Sequence, residues 1–428
     1  MSPAATLLGR RARRLLSTSL PPDLTYRDVF EAHKRISQYV EQTPLDFSHS
    51  LSAAYGCDLF LKKEHVSRTG SYKERGALNK LLSLTDEEKA RGVICSSAGN
   101  HAQAVSYHAT RLKIDSVIVM PEPTPYVKVK ATKSFGGRVV QYGAGFAEAY
   151  EKALEIAETE NRTFVHAFND RDVVAGQGTV ALELLKQNAY LDSVIVPVGG
   201  GGLIAGMALV LKHINPRIKL YGVEAKAMSG MVASMEAGKV TKVPRKLSIC
   251  DGIAIETVGE IPFSIINRLV DDIVLVEEDE VAASILTLLE KEKTVVEGSG
   301  ATALAAIAYN HLPVKGQQVA AVTTGSNIDM TVLSRIIEKG LVRDGRIARI
   351  SVTITDAPGQ LAQVLTLIAQ ARANVRDIEH ERAFLVASVQ QTQPIVTIET
   401  RGPDHIDRIM KLLRDNGHTS VKLITPKV

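Results

Sequence analysis

Between about residues 90 and 340, short apolar runs rich in β-branched residues alternate with amphipathic, helix-like segments. This alternation predicts an α/β fold, in which a parallel sheet carries helices on both faces. The predicted strands span 93–95, 116–120, 138–142, 194–198, 220–224, 273–276 and 319–323. The predicted helices include 103–112, 146–159, 178–187 and 279–291. Such sheets bind ligands at the carboxyl ends of their strands, where helices begin.

The pattern changes near Gly340, and the length of 428 residues suggests about three domains. Glycines among charged residues at 341–348 predict a linker. After it come a strand (349–355), a helix (360–372), extended runs to 400, a helix (405–415) and a final strand (420–424). We therefore predict a main domain over 23–340, with a smaller subdomain at about 66–160 inserted in it. A small α+β domain of βαββαβ order follows over 349–428.

The first 22 residues contain four arginines, several leucines and serines, and no acidic residue. This composition is typical of an organelle transit peptide. We therefore predict a transit peptide at 1–22 and a mitochondrial location. A plastid or cytoplasmic location and a merely disordered basic N-terminus stay open as alternatives.

The chain after residue 22 carries no net charge, which limits the classes of charged partner that it is expected to bind. Lys and Arg number 51 and Asp and Glu 47, so the N-terminal arginines account for the whole excess. We predict no nucleic-acid partner and, because no apolar run reaches about 18 residues, no membrane span. The three cysteines are too few and too scattered for a zinc site or a disulfide framework.

A four-glycine loop, Gly199 to Gly202, connects a predicted strand to a predicted helix that begins near Leu203. Glycine lets consecutive backbone N–H groups face one ligand, and the positive end of the following helix strengthens their attraction for anions. The loop lacks the Lys-Ser/Thr of a Walker loop and the G-x-G-x-x-G spacing of dinucleotide-binding folds. We therefore predict a phosphate site for a ligand other than ATP or NAD. The alternative is a close-packed turn.

A second strand-to-helix turn, from Ser96 to Gln103, is rich in small polar residues. It is suited to bind a carboxylate, although an ordinary helix cap has nearly the same composition. Upstream, Lys73 follows a Gly-Ser turn at a predicted helix start. A lysine near the positive end of a helix ionises less readily and can form a Schiff base. Taken alone, it is more typical of a solvated surface lysine.

Together the three stretches resemble the fold-type II pyridoxal-phosphate enzymes, in particular the threonine and serine dehydratases. The motifs are S-[FY]-K-x-R-G-A around Lys73, S-x-G-N-H-x-Q from Ser97, and the glycine run before L-I-x-G. They occur in that family's order and spacing, and the resemblance covers about residues 22 to 340. It implies pyridoxal 5'-phosphate as cofactor and a catalytic domain of two parallel-sheet α/β subdomains.

The resemblance also implies roles for the matching residues. Lys73 would form the Schiff base and take the Cα proton of the substrate, and Ser97 is the second candidate catalytic residue. The implied cofactor-binding residues are Tyr72, Lys73, Asn100, Gly199, Gly200, Gly201, Gly202, Leu203 and Thr324. The implied substrate-binding residues are Ser97, Ala98, Gly99, Asn100, His101 and Gly252. Segments around Asp251 and from Glu297 to Ala301 would line the rest of the pocket.

Departures from the family pattern bear on the reaction. Thr324 stands where the family usually has a serine facing the ring nitrogen. Its neutral hydroxyl does not hold that nitrogen protonated, which favours elimination over transamination. Ala98 stands where related serine racemases carry an acid/base serine, so racemisation is expected to be weak. Their divalent-cation site keeps only Glu224 here, because its second acid is replaced by Gly230. No metal is predicted, although a monovalent ion on backbone oxygens stays open.

The C-terminal domain resembles an ACT domain, an amino-acid-sensing module, through the D-x-P-G-x-L turn that begins at Asp356. Pro and Gly shape a tight turn, and the helix N-terminus behind it suits an effector carboxylate. The implied effector residues are Asp356, Pro358, Gly359 and Leu361, with isoleucine and valine as candidate effectors. ACT modules commonly pair edge to edge, which favours a homo-oligomer, a dimer or a tetramer. An oligomerisation domain without a ligand is the alternative.

The predicted activity is the conversion of L-threonine to 2-oxobutanoate and ammonia, with L-serine converted to pyruvate more slowly. Alternatives within the fold are a serine-preferring dehydratase, a threonine synthase or a 3-hydroxyaspartate dehydratase. A non-catalytic amino-acid sensor and a nucleotide-phosphate binder are alternatives from other classes.

Overall fold

The computed structural model describes residues 24–381 and 389–424, so the predicted transit peptide lies outside the described residues. The chain divides into two compact units, Met1–Asp329 and Met330–Val428. Within the described ranges, no helix combines the length and the apolar character needed to cross a membrane.

The first unit contains two sheets. Its strands in chain order are β1 (Leu45–Phe47), β2 (Asp58–Lys62), β3 (Val93–Ser96), β4 (Ser116–Met120), β5 (Arg138–Gln141), β6 (Thr163–Phe164), β7 (Ser193–Pro197), β8 (Lys219–Ala225), β9 (Asp272–Val276) and β10 (Gln318–Val322). The larger sheet has the order β1-β2-β10-β7-β8-β9 and the smaller β5-β4-β3-β6. All neighbours are parallel except β1 and β2, which confirms the predicted α/β class with two parallel sheets.

Helices connect these strands and cover the sheets. They are α1 (Tyr26–Ile36), α2 (His49–Tyr55), α3 (Lys73–Ser83), α4 (Asp86–Arg91), α5 (Asn100–Arg111), α6 (Tyr126–Ser134), α7 (Phe146–Thr159), α8 (Arg171–Gln187), α9 (Gly202–Ile214), α10 (Gly230–Ala237), α11 (Glu260–Leu269), α12 (Glu278–Lys291) and α13 (Gly298–Ala308). Helix α8 begins at a capping side chain, because Asp170 accepts hydrogen bonds from two N–H groups of its first turn.

The core of the larger sheet follows from the alternation of side chains along each strand. Val194 and Val196 of β7 pack with apolar residues of α1, α8, α9 and α11 in one buried cluster. Ile195, which lies between them, is also fully buried and points to the opposite face. Both faces of the sheet are therefore covered, as the apolar runs predict.

The smaller sheet is completed by a strand beyond the predicted subdomain limit of about 160. Strand β6 pairs with β3 through Thr163 and Phe164, and Phe164 packs against buried alanines of α7. A two-residue strand carries too little apolar pattern to be recognised in the sequence. Helix α3 joins the two halves of the unit, because it packs against α8 on one side and α5 on the other.

The second unit has the predicted βαββαβ order, preceded by a helix and with its first strand divided into two short strands, Ile347–Ser351 and Ile354–Thr355. Its elements are α14 (Met330–Arg343), β11 (Ile347–Ser351), β12 (Ile354–Thr355), α15 (Gln360–Gln370), β13 (Asn374–Glu381), β14 (Gln391–Glu399), α16 (Pro403–Asp415) and β15 (Lys422–Leu423). β11 and β12 both pair antiparallel with β14, as does β13, and β15 pairs with β11.

The predicted linker at 341–348 differs from the structure. Gly340 lies inside α14, and the helix ends only at Arg343. Gly345 has a φ of +66° in the short turn before β11, so this glycine serves a tight turn between two elements. The unit boundary falls at Asp329, earlier than the predicted position 340, because charged residues on the exposed face of α14 resemble a linker.

Candidate active site

Lys73 is held at the first position of α3 by a loop that pairs with the end of the larger sheet. The Tyr72 N–H donates to the Thr324 carbonyl at 3.2 Å, and the Ser326 N–H donates to the Gly70 carbonyl at 2.9 Å. The chain after β10 therefore fixes where α3 starts. The structure thereby brings together Lys73, Tyr72 and Thr324, three residues that the sequence assigned to one site.

The amine of Lys73 is half-buried and weakly held. Its Nζ donates to the Ala167 carbonyl at 2.9 Å and lies 5.2 Å from the centre of the Tyr72 ring. Burial lowers the pKa of Lys73 to about 8, although the Glu297 carboxylate acts in the opposite direction. A substantial fraction of this amine is neutral near pH 8, which a nucleophile or a base requires.

The segment after β6, residues 166–169, is a part of the site that the sequence analysis missed. Nδ1 of His166 accepts hydrogen bonds from the Phe168 N–H at 3.2 Å and the Asn169 N–H at 2.9 Å. Burial, and then the charge of Lys73, lower the pKa of His166 to about 4, so the ring is neutral. Recognising β6 would have exposed this polar stretch as one more loop at a strand's carboxyl end.

The glycine loop lies between β7 and α9, as predicted, and it tolerates no side chains. A Cβ on Gly200 would collide with the Phe168 ring, and one on Gly199 would lie 2.8 Å from the Ile253 Cα. Gly201 has a φ of +90°. The first N–H groups of α9 have no acceptor within the helix. A cradle of backbone donors at a helix N-terminus fits a phosphate group.

The turn from Ser97 to His101 follows β3 and opens α5. The Ser97 hydroxyl accepts a hydrogen bond from the Gly99 N–H at 3.3 Å, and Ala98 packs against the core of the smaller sheet. Nε2 of His101 lies 2.9 Å from the Val165 carbonyl, and burial lowers its pKa to about 3. His101 is therefore neutral and faces the protein interior, while the turn itself is open to a ligand.

Asn100 belongs to a polar network with Glu297 and Asn327. Its Nδ2 donates to Glu297 Oε1 at 2.7 Å, and its Oδ1 accepts from Asn327 Nδ2 at 2.7 Å. A Cβ on Gly252 would lie 3.3 Å from Glu297 Oε1, so Gly252 borders the same network. Burial raises the pKa of Glu297 to about 7. Every sequence-assigned catalytic, cofactor and substrate residue thus lies in the first unit.

Two further predictions concern residues away from this network. The Glu224 carboxylate is buried and accepts the N–H groups of Met231 and Val232, each at 2.9 Å. It therefore caps α10. The residues from Asp356 to Leu361 form the turn into α15 in the second unit, where Gly359 has a φ of +88°.

The two sheets, the central lysine, the glycine cradle and the polar turns define a pyridoxal-phosphate enzyme of fold type II. A family model described as pyridoxal-phosphate dependent enzyme matches residues 36–325. The chain belongs to this family, which confirms the predicted family, fold class and cofactor. The half-buried Lys73 amine and the glycine cradle fit the aldehyde and the phosphate of that cofactor.

Individual relatives show which members of this family the chain is similar to. An L-threonine ammonia-lyase of Thermotoga maritima is 41% identical over 395 residues, which are 92% of this chain and 98% of the relative. The L-threonine dehydratase catabolic TdcB of Escherichia coli is 42% identical over 72% of this chain and 94% of its own length. The solved structure of the processed form of threonine deaminase isoform 2 from Solanum lycopersicum has a TM-score of 0.70 and 35% identity, covering 76% of this chain and 93% of the other.

The predicted mitochondrial location is wrong. Relatives that align over most of the chain come from the bacteria Thermotoga maritima and Geobacter sulfurreducens, and their origin points away from a mitochondrion. The prediction rested on the composition of residues 1–22 alone. Arginine, leucine and serine without acids are typical of a transit peptide, but a short basic extension has the same composition.

Proposed function

We propose that the chain dehydrates and deaminates L-threonine to 2-oxobutanoate and ammonia, and converts L-serine to pyruvate more slowly. The observation that carries this proposal is the placement of the Lys73 amine, which donates to the Ala167 carbonyl one residue before Phe168, the ring that faces Gly200. Its pKa, lowered to about 8, suits an acid/base role. Relatives named L-threonine ammonia-lyase and L-threonine dehydratase support the substrate.

Bound pyridoxal phosphate supplies an aldehyde for amines and an electron-withdrawing ring that acidifies the substrate Cα–H. The Lys73 Nζ would hold the cofactor aldehyde at rest and, once released by the substrate amine, would take the Cα proton. The Ala167 carbonyl supports this proton transfer, because it already orients one N–H of the amine at 2.9 Å.

The other site residues would bind and orient. The glycine loop and Leu203 at the start of α9 would hold the cofactor phosphate, and the Asn100 amide would donate to the ring oxygen. Thr324 is buried and would face the ring nitrogen with a neutral hydroxyl. The substrate carboxylate would lie on the turn from Ser97 to His101, opposite Gly252. Ala98 carries no exchangeable proton, which supports elimination over racemisation.

The test is an absorption spectrum of the purified protein before and after L-threonine, with 2-oxobutanoate assayed in the same cuvette. We expect a visible cofactor band and release of the ketoacid, with kcat/KM higher for threonine than for serine. A band without ketoacid from either substrate would contradict the proposed reaction and point to another substrate. Absence of any band after pyridoxal phosphate is supplied would contradict the role of Lys73 and favour an amino-acid sensor.

We also propose that the second unit is an ACT-type regulatory domain in a homo-oligomer, a dimer or a tetramer. Its βαββαβ order supports this, as does the 395-residue alignment with the Thermotoga maritima enzyme, which is longer than the whole first unit. Within 24–381 and 389–424, β15 pairs with β11 alone, which leaves a sheet edge for a second copy. The turn from Asp356 through Pro358 and Gly359 to Leu361 would bind the amino-acid effector.

Isoleucine is expected to lower the threonine activity of the wild type, and Gly359→Ala is expected to raise the half-effective isoleucine concentration about tenfold. Alanine at a φ of +88° strains the turn by about 1–2 kcal/mol, which converts to about tenfold in binding. Dose–response curves of initial rate measure the shift. Gly238→Ala, at a φ of +69° with open space around it, is the matched control and should leave the curve unchanged. Activity insensitive to both isoleucine and valine would contradict regulation at this turn.

A further inference from the structure

We infer that Glu297 is a positioning residue for Asn100. A hydrogen-bond relay runs from the Thr69 carbonyl through Asn327 and Asn100 and ends at Glu297. The relay turns one Asn100 N–H toward the hydroxyl oxygen on the cofactor ring. The inference rests on the proposed function, in which Asn100 faces that oxygen. It adds the reason why the Asn100 amide has a single orientation.

The relay begins at a group whose polarity is fixed. Asn327 Nδ2 donates to the Thr69 backbone carbonyl at 2.8 Å and to Asn100 Oδ1 at 2.7 Å. A carbonyl oxygen only accepts, so the amino group of Asn327 must lie on this side and both its hydrogens are used. Asn100 must therefore present its oxygen, not its nitrogen, to Asn327.

The relay ends at the Glu297 carboxylate, which only accepts hydrogen bonds when it is ionised, above its pKa of about 7. Asn100 Nδ2 donates to Glu297 Oε1 at 2.7 Å, and the Asn327 N–H donates to Oε2 at 3.2 Å. An ionised carboxylate has no hydrogen to offer. One hydrogen of the Asn100 amino group is thus engaged, and the second is left for a ligand in the site.

Glu297 is built into this position. Its side chain is buried, with the residue 4% exposed, and its own N–H donates to the Gly325 carbonyl at 2.9 Å. A Cβ on Gly325 would collide with Oε1. Within the part of the chain that the structure describes, no lysine or arginine forms an ion pair with this carboxylate. Uncharged N–H donors of Asn100 and Asn327 therefore satisfy the Glu297 carboxylate. The carboxylate in turn fixes the positions of these donors.

The substitution Glu297→Gln removes one hydrogen-bond acceptor oxygen and keeps the size of the side chain nearly unchanged. Both carboxylate oxygens face donors, and glutamine has only one acceptor to offer. Its oxygen must stay with the Asn327 backbone N–H, which cannot turn. Its amino group then faces Asn100, which has to rotate its oxygen toward Gln and lose the hydrogen bond from Asn327. In the rotated Asn100 amide, Nδ2 faces the amino group of Asn327 and no longer presents the same N–H to the cofactor.

The experiment records absorption spectra of wild type and Glu297→Gln at equal pyridoxal-phosphate content, together with kcat and KM for threonine. A donor to the ring oxygen stabilises its ionised form, so we expect Glu297→Gln to move absorbance from the visible band to the near-ultraviolet band. We expect kcat to fall about ten- to hundredfold, the range found for residues that orient metal ligands through hydrogen bonds, with KM changed less.

Two further variants show whether the effect passes through Asn100. Glu224→Gln is the matched control, because Glu224 is also a buried carboxylate that accepts two backbone N–H groups; it should leave the ratio of the bands unchanged. In an Asn100→Ala background, Glu297→Gln should add little further loss of kcat or change in the bands.

A wild-type band ratio in Glu297→Gln, or full additivity with Asn100→Ala, would overturn the relay even if the wild type deaminates threonine. Conversely, a wild type that binds the cofactor without releasing 2-oxobutanoate would contradict the proposed substrate. In that case a band shift confined to Glu297→Gln would still support the relay.

Discussion

Lys73→Ala is expected to abolish turnover of L-threonine, lowering kcat by about 10³-fold or more. The alanine removes the amine that donates to the Ala167 carbonyl, and with it the proposed covalent hold on the cofactor aldehyde and the proposed base for the Cα proton. The 2-oxobutanoate assay measures the loss, and the visible band should disappear in the same sample while free cofactor absorbance remains.

The control for this substitution is Lys130→Ala on α6, an exposed lysine outside the site, which should retain wild-type kcat. Circular dichroism of both variants checks that the fold is intact. Threonine deamination by Lys73→Ala within tenfold of the wild-type rate would sink the assignment of Lys73.

Arg75→Met is expected to destabilise the protein by about 3–5 kcal/mol, the cost of breaking a buried ion-pair network. Arg75 is 2% exposed and donates to both oxygens of Glu64 and both oxygens of Glu183. Lys62 Nζ also bonds Glu183 at 3.0 Å. Methionine would leave two buried carboxylates facing one ammonium group.

The size of this effect should depend on pH in a definite direction. Burial alone would raise the pKa of Glu183, but hydrogen bonds and charge from Arg75 and Lys62 hold it below its usual range. Without Arg75 that pKa rises above the unfolded value, so the ionised form costs free energy above pH ~4.5. The destabilisation should therefore be larger at pH 8 than at pH 5.

Urea unfolding followed by circular dichroism measures the loss, since the sequence contains no Trp for fluorescence. Arg138→Met is the control. Arg138 bonds both oxygens of Glu160 at 3.2 and 3.0 Å on the surface, and such exposed pairs contribute less than about 1 kcal/mol. Equal losses in the two variants, or a loss independent of pH, would contradict the account of the buried network.

Sequence patterns located most elements of the first unit because its strands are buried on both faces. Helix α7 has the predicted bounds, and β4 and β7 lie where apolar runs predicted them. β1 and β2 were missed although β2 pairs with β10 in the larger sheet. They precede the regular alternation of strand and helix, and β1 is short and largely exposed, so neither gives a clear periodic signal.

For the site, motifs identified the residues but not the contacts among them. Lys73, the glycine loop and Asn100 stand out because glycine runs and strand-end turns carry local signals. The Ala167 carbonyl has no such signal, since a backbone acceptor can belong to any residue. Glu297 was only part of a pocket-lining segment and Asn327 was not singled out, because their roles depend on which amide group faces which partner, and tertiary packing decides that.

Ser71 and Gly325 form an antiparallel bridge, and Asn327 reaches back 258 residues to Thr69. On the ribosome, a nascent chain therefore carries Lys73 long before the segment that holds its loop has been made. Strand β10 also inserts between β2 and β7, so the larger sheet stays in two pieces until the same late segment emerges. Cofactor capture must then follow translation of nearly the whole first unit, because a chain that ends before 325 lacks the segment that pairs with the loop before Lys73.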